Sequence, residues 1–176
     1  YGDVKFIARS KGGHASAPVK NTPLVRLGKF MAEVEKHSPF ESRFSETLEE
    51  MFGRMAPNMN FGMKMIFANM WLFKPLLIKL LPSISPAAGA MLHTTLAFTM
   101  AKGSDGLNVL PQEAYVTGNM RFIHHQPNKE SIEAVSAVAK KFDIETEVIY
   151  QDDPCPVVDF RSDAFKLVEE TVEEIY

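Results

Sequence analysis

Residues 3–16 read DVKFIARSKGGHAS and join a strand-like segment to a glycine turn. The first part alternates in character, with Val4, Phe6 and Ala8 on one side and Lys5, Ile7 and Arg9 on the other. Such alternation is typical of a strand with one buried face. Gly12 and Gly13 end the segment and allow the backbone beside His14 to approach a ligand closely. We therefore predict a half-buried strand that leads directly into a candidate site histidine.

The rest of the chain predicts three more strands and two helices around this first strand. We expect strands over residues 91–101, 113–123 and 144–150. We expect one helix from an N-cap at Asn21 to about His37, and another from an N-cap at Asn128 to Phe142. This order predicts an α+β fold of the split βαβ, or ferredoxin-like, type. It is a two-layer sandwich in which two helices cover one face of a four-stranded antiparallel sheet.

Residues 38–90 differ in character and predict a helical insertion. Methionine and phenylalanine are dense there, and prolines separate short helical stretches. The apolar part, Met65 to Leu81, is interrupted by Asn69, Lys74, Pro75 and Lys79, which argues against a membrane span. Burial against the rest of the protein is the interpretation we favour. An apolar ligand groove and a membrane-surface contact stay open as alternatives.

Composition narrows the class of protein. The 176 residues are 45% hydrophobic and 23% charged, as in an ordinary globular domain. The net charge of −3 argues against a nucleic-acid partner, because phosphate binding requires clustered lysine and arginine. We also expect no membrane partner. A single cysteine, Cys155, excludes an internal disulfide and leaves the compartment open, with the cytoplasm as our working expectation.

Three residues are candidates for chemistry: His14, Asn108 and Arg121. An imidazole can donate to a developing oxyanion, and a guanidinium pairs well with a carboxylate. Each residue also has an ordinary structural interpretation. His14 could be a turn histidine that is hydrogen-bonded to the local backbone. Asn108 could be an ordinary turn residue. Arg121 could be a solvent-facing charge on an open face of the sheet.

The remaining residues predict no metal site within the chain. His124 and His125 are adjacent at a strand end, so their side chains would point to opposite faces. No motif of the His-Glu-x-x-His type occurs. Cys155 lies between two prolines without an evident activating base, which favours a plain thiol. We therefore expect the chain to hold only part of an active site and to belong to a longer polypeptide.

The order of these motifs resembles a known family. Gly12-Gly13-His14-Ala15-Ser16, Asn108-Val109-Leu110-Pro111 and Met120-Arg121-Phe122 resemble the lid, or dimerisation, domain of the aminoacylase and carboxypeptidase zinc peptidases. Within the insertion, residues 68–76 (ANMWLFKPL) and Leu92-His93-Thr94-Thr95 resemble the carboxypeptidase S branch, which includes N-acyl amino acid hydrolases. The resemblance covers nearly the whole chain.

The resemblance implies a homodimeric two-domain enzyme with two zinc ions, acting on a peptide or an N-acyl amino acid. The zinc ligands would lie in a catalytic domain outside this chain. Residues 1–152 would form the lid domain, and residues 153–176 the start of the returning catalytic segment. His14 would reach into the partner subunit's site and steady the oxyanion, while Asn108 and Arg121 would hold the substrate carboxylate. We expect the chain alone to be inactive.

A second hypothesis from another class also fits the predicted fold. The chain could serve as a non-catalytic ligand-binding or regulatory dimerisation module, because folds of this type support many functions. The flanking sequence of the parent polypeptide distinguishes the two hypotheses. Zinc ligands on both sides favour the enzyme, and a regulatory or transport domain favours the module.

Overall fold

The computed structural model of the chain describes residues 1–175. Six strands are formed: β1 (Gly2–Arg9), β2 (Gly13–His14), β3 (Thr95–Lys102), β4 (Val109–Leu110), β5 (Glu113–Arg121) and β6 (Glu145–Gln151). Seven α-helices accompany them: α1 (Pro23–Lys36), α2 (Glu46–Met55), α3 (Phe61–Ala68), α4 (Met70–Ile84), α5 (Pro86–Ala90), α6 (Asn128–Lys140) and α7 (Asp163–Ile175). A short 3-10 helix, Ala56–Asn58, follows α2.

The four long strands form one antiparallel sheet in the order β3-β5-β1-β6. This is the strand order of the split βαβ fold, so the sequence-based fold prediction is confirmed. β1 and β5 are the two central strands and pair without interruption from Gly2 opposite Met120 to Arg9 opposite Glu113. β3 lies at one edge of the sheet and β6 at the other.

The core lies between the sheet and the two helices that cover it. Phe6 and Phe30 are fully buried, with ring centroids 4.7 Å apart, and both rings pack edge-on against Phe98. The core side of each central strand was predicted by alternation, and the side chains there are buried: Val4, Phe6, Ala8, Ala114, Val116 and Met120. Burying large aromatic side chains removes apolar surface from water, which is the main favourable contribution to folding.

A buried arginine fixes the first helix to the sheet. Arg26 of α1 donates to the backbone carbonyl of Asp143 at 2.7 Å, to the Asp143 carboxylate and to the carbonyl of Arg9. These bonds join α1 to the end of β1 and to the turn before β6. A buried charge needs such partners, because an unpaired one would be strongly destabilising. Nothing in the hydrophobic pattern of the sequence indicates this contact.

The insertion is helical, as expected, and has its own core. Phe52 and Phe67 stack with ring centroids 4.6 Å apart, and Leu77 and Leu92 are buried beside them. This cluster is separate from the core under the main sheet. The sequence-based expectation that Met65 to Leu81 is buried against the rest of the protein holds for one side only, because several large side chains there remain exposed.

The prediction of a strand from Met91 to Ala101 is wrong at its beginning. β3 starts at Thr95, because Leu92 turns into the insertion core and the Thr94 hydroxyl is drawn inwards. That hydroxyl accepts from the Ile123 N–H at 3.2 Å and contacts Ser131 Oγ at 3.0 Å. A register shift between Phe98 and Met100 also breaks the predicted alternation and leaves Met100 exposed.

Both predicted helix caps are displaced by one residue. Thr22 occupies the N-cap position of α1, and Asn21 before it adopts a left-handed φ of 56° and accepts from Lys29 Nζ. Pro127 is the N-cap of α6, so Asn128 becomes the first helical residue. Its amide donates to the Asp152 carbonyl at 2.9 Å instead. The predicted third strand likewise ends at Arg121 rather than at residue 123.

Within residues 1–175, no single helix has both the length and the apolar character needed to cross a membrane. Taken together, α3 and α4 would meet that requirement by length and composition alone, but the chain bends by 110° between them.

We predict that Phe30→Ala lowers the free energy of unfolding by about 3–5 kcal/mol, because it leaves a cavity where three aromatic rings meet. Leu107→Ala is the matched control, since Leu107 is fully exposed. Its effect should stay within about 0.5 kcal/mol. Urea unfolding followed by circular dichroism measures both. Equal effects from the two variants would contradict the position of the core.

Candidate functional site

His14 lies on a two-stranded ribbon that the sequence did not predict. Gly13 pairs with Leu110 and His14 with Val109, so β2 and β4 form a sheet of their own. Gly12 enters the ribbon with a φ of 70°, and a Cβ there would lie 2.7 Å from the Gln112 side chain. Only glycine tolerates that conformation without strain. The glycine turn therefore positions the histidine against the 109–110 segment.

The ribbon brings two of the three candidate residues together. Asn108 Nδ2 lies 3.3 Å from His14 Nε2, and the Asn108 carbonyl accepts from the Ala15 N–H at 2.9 Å. Both side chains are exposed to solvent. His14 and Asn108 thus form one polar pair at the tip of the ribbon, although 94 positions separate them in the sequence.

The hydrogen bonds of His14 indicate which ring nitrogen carries the proton. The Ser16 backbone N–H donates to His14 Nδ1 at 3.2 Å, and Ser16 Oγ lies 2.8 Å from the same atom. A backbone N–H cannot act as an acceptor, so Nδ1 must be the unprotonated nitrogen of the neutral ring. The proton is then on Nε2. Rotation of the Asn108 amide by 180° presents its Oδ1 to this N–H.

This arrangement suits the histidine to stabilising negative charge. In the neutral ring, Nε2–H points away from the local backbone and towards Asn108 and solvent. A donor held in place before the reaction stabilises an oxyanion without reorganisation at the moment of bond formation. The Nδ1 contact with Ser16 supplies that orientation. The pair is therefore chemically equipped to bind an oxyanion or a polar substrate group.

Arg121 lies at the end of β5, far from the ribbon. β5 begins at Glu113, three residues after the ribbon strand Val109–Leu110, and Arg121 is its last residue. Nine residues of strand place the two ends about 26 Å apart. The structure therefore does not bring Arg121 together with His14 and Asn108 within one subunit.

The Arg121 side chain is exposed, with its guanidinium carbon 4.9 Å from the centroid of the Tyr1 ring. Among the described residues, no carboxylate lies close enough to form an ion pair with it. An exposed guanidinium without a carboxylate partner can bind one from a ligand, in a bidentate geometry. Its position on the face opposite Met120 agrees with the alternation of the strand.

A small polar network lies at the same end of the sheet. The Tyr150 hydroxyl donates to Asp152 Oδ1 at 2.6 Å, and this hydrogen bond to a carboxylate raises the pKa of Tyr150. The phenol is protonated at neutral pH, as in an ordinary tyrosine, and its hydrogen bond holds Asp152 in place. The Asp152 N–H donates to the Tyr1 carbonyl at 2.9 Å. These contacts hold the chain after β6 against the start of β1.

The other candidate ligands are dispersed. Across residues 1–175, no three or more His, Cys, Asp or Glu side chains are grouped so as to hold a metal ion. His37 contacts Glu33 on its own helix, His93 contacts the Thr94 carbonyl and His125 contacts the Glu41 carbonyl. Cys155 is exposed.

One cavity was missed by sequence reasoning. It has a volume of about 590 Å³ and lies between α2, the loop after β5 and the segment before α7. Its walls are mostly apolar and include Leu48, Met51, Phe160 and Phe165. These residues are spread over 118 positions of sequence, so no local pattern could have indicated it.

We predict opposite tautomers for two histidines of the chain. His14 should carry its proton on Nε2, for the reason given above. His93 should carry its proton on Nδ1, because that atom lies 2.8 Å from the Thr94 carbonyl, which can only accept. Long-range ¹H–¹⁵N spectra above the titration range distinguish the two forms, and His93 serves as the internal control. A His14 ring protonated on Nδ1 would contradict the donor geometry.

Comparisons with known proteins identify the family of the chain. The profile of the family described as "Peptidase dimerisation domain" matches residues 1–147. N-fatty-acyl-amino acid synthase/hydrolase PM20D1 of Xenopus tropicalis is 28% identical over 165 residues, covering 93% of this chain and 32% of that protein. Probable carboxypeptidase S-like 2 of Dictyostelium discoideum is 27% identical over 172 residues, covering 97% and 32%.

A solved structure shares the fold. The M20 family metallo-carboxypeptidase Sso-CP2 of Sulfolobus solfataricus superposes with a TM-score of 0.61 at 18% identity, covering 99% of this chain and 48% of that one. The chain spans about a third of the length of the curated relatives it matches. The family match extends over most of the chain and includes His14, Asn108 and Arg121. The chain therefore belongs to the peptidase dimerisation domain family of the M20 metallopeptidases.

Proposed function

We propose that this chain is the dimerisation and substrate-carboxylate-binding lid of a zinc-dependent hydrolase. The enzyme would be a carboxypeptidase or an N-acyl amino acid amidohydrolase. The observation that carries the proposal is the His14–Asn108 pair, held on a glycine-bounded ribbon within a peptidase dimerisation domain. The names of the relatives support it, since they are a synthase/hydrolase of N-fatty-acyl amino acids and a carboxypeptidase S-like protein. They favour the enzyme over the non-catalytic module.

The proposal divides the chain into a lid, residues 1–152, and the start of a catalytic-domain segment, residues 153–176. The bond between the Asp152 N–H and the Tyr1 carbonyl supports this, because an inserted domain needs its two connections side by side. The last helix adds support. α7 has no buried residue, and its apolar side chains Leu167, Val168 and Val172 are exposed. A catalytic domain would cover them.

In this proposal the zinc ions would be bound outside this chain, and the described residues group no three potential metal ligands together. When bound there, zinc would polarise the substrate carbonyl and activate a water molecule. The contribution of this chain is to bind and orient the substrate. His14 Nε2–H would donate to the oxyanion of the tetrahedral intermediate, Asn108 would hold the imidazole and a polar substrate group, and Arg121 would pair with the carboxylate.

A two-fold dimer resolves the separation of Arg121 from the other two residues. β3 is an edge strand, and its unpaired backbone groups favour pairing with another chain. Antiparallel pairing of β3 with its copy gives an eight-stranded sheet in which the two β5 strands run in opposite directions. The strands of the joined sheet have two sets of ends. The ribbon end of β5 in one protomer then lies on the same side as the Arg121 end of β5 in its partner.

Distances favour this shared site over a site within one subunit. The two β5 strands would be three strand spacings apart, which is about 14 Å. That distance is roughly half the 26 Å along a single β5, and a substrate together with a long arginine side chain can bridge it. We therefore propose a homodimer in which each site takes His14 and Asn108 from one protomer and Arg121 from the other.

We predict that Arg121→Ala in the parent enzyme lowers kcat/KM for substrates with a free carboxylate and leaves kcat/KM for the matching amides unchanged. Loss of a charge-assisted hydrogen bond costs about 1.5–3 kcal/mol, which is about 10- to 150-fold in kcat/KM. Lys129→Ala is the control, because Lys129 is an exposed cation on α6, in the helical layer on the side of the sheet opposite the Arg121 side chain. This control should leave kcat/KM unchanged for both the acids and the amides. Equal losses for acids and amides in Arg121→Ala would contradict the carboxylate role.

A further inference from the structure

The outer side of α4 is apolar although nothing in the described structure covers it. Leu72, Leu76 and Leu80 are spaced four residues apart, so they lie along one side of the helix. All three are exposed, whereas Met70 and Leu77 on the opposite side are buried in the insertion core. A helix that is apolar all round is normally covered on every side. α4 is covered on one side only.

Two large aromatic residues extend this exposed apolar character. Trp71 in the first turn of α4 is 77% exposed, and Phe61 at the start of α3 is 83% exposed. Scattered apolar side chains are normal on a protein surface, but several large ones on one short segment indicate an interaction site. Tryptophan is also a preferred residue at the boundary between lipid and water.

Lys74 of α4 forms an ion pair with Glu49, but the excess charge on α3 and α4 is positive. No aspartate or glutamate occurs between Glu50 and Asp105, whereas the chain as a whole has a net charge of −3. Lys64 and Lys79 are exposed and form no ion pair with any described residue. Lys79 is next to Leu80, so a cation accompanies the exposed leucines.

This combination of apolar and cationic groups distinguishes between possible occupants. A second copy of the same surface would bring the unpaired lysines of both copies together, and Glu49, which is already paired with Lys74, would not compensate them. Protein interfaces in general are depleted of lysine. An anionic phospholipid surface accepts both kinds of group, because its phosphates attract lysines and its acyl region receives leucine and tryptophan.

We propose that the outer side of α4, together with Lys64 and Lys79, docks on the surface of an anionic phospholipid bilayer. α4 has 15 residues and is about 22 Å long, so it would lie in the plane of the interface. This proposal departs from the sequence-based expectation, which favoured burial of the segment. It goes beyond the proposed function, and neither depends on the other.

Vesicle flotation tests the proposal with the 176-residue chain. One set of vesicles is phosphatidylcholine alone, and the other also contains phosphatidylserine. The chain should float with the anionic vesicles and much less with the neutral ones. Trp71 is the only tryptophan of the chain, so its fluorescence reports on this surface alone. Its emission should shift to the blue on anionic vesicles, and quencher-labelled lipid should quench it.

Paired variants distinguish the effect of contacts at this surface from the effect of net charge on vesicle binding. Lys79→Glu should weaken binding to anionic vesicles about 25-fold, because each unit of charge near such a surface is worth about fivefold. Lys140→Glu makes the same change on the exposed end of α6 and should have little effect. Leu76→Asn with Leu80→Asn should abolish the Trp71 shift, whereas Leu107→Asn should not. Circular dichroism confirms that each variant is folded.

Several results would overturn the proposal. A folded chain that does not float with anionic vesicles, or that floats without a change in Trp71 emission, does not use this surface. Equal binding to both kinds of vesicle, or equal effects of Lys79→Glu and Lys140→Glu, would exclude the lysine contacts. A lower mass in light scattering for the Leu76→Asn, Leu80→Asn variant would identify a second copy as the occupant.

Discussion

The antiparallel pairing of β1 with β5 is the constraint on which the remaining structure depends. The two strands are central in the sheet and stay in register over eight residue pairs. Their buried sides form one wall of the core, where Phe6 lies under Phe30 of α1. A shift of one residue would turn these apolar side chains to the other face, so the core strongly specifies the register.

The same register determines where the candidate site residues lie. The chain leaves β1 after Arg9 and enters β5 at Glu113, which is paired with it. The glycine turn and the segment before β5 therefore start from the same end of the sheet, and they pair there as the ribbon. Arg121 is carried to the other end by the length of β5 itself. In the proposed dimer, a site that uses all three residues draws on two copies of the chain.

The main sheet and its helices could be predicted from the sequence, because the two central strands each bury one side and alternate accordingly. The edge strands β3 and β6 are mostly exposed, and the alternation of β3 is broken by its register shift. The ribbon could not be predicted, since Gly13–His14 and Val109–Leu110 are too short for a period to be visible. Thr94 looked like part of a strand because threonine is common in strands, but its buried hydroxyl ends the alternation. Arg26 was not identified, because its partners come from two other parts of the chain.

The shared site is tested most directly by mixing two impaired variants of the parent enzyme. His14→Ala and Arg121→Ala are produced with different tags, and dimers that carry both tags are isolated. In a shared site, such a dimer keeps one site with His14 from one protomer and Arg121 from the other. The account predicts that these dimers recover about half of the unmodified activity towards acid substrates. Activity that stays at the level of the separate variants would contradict it.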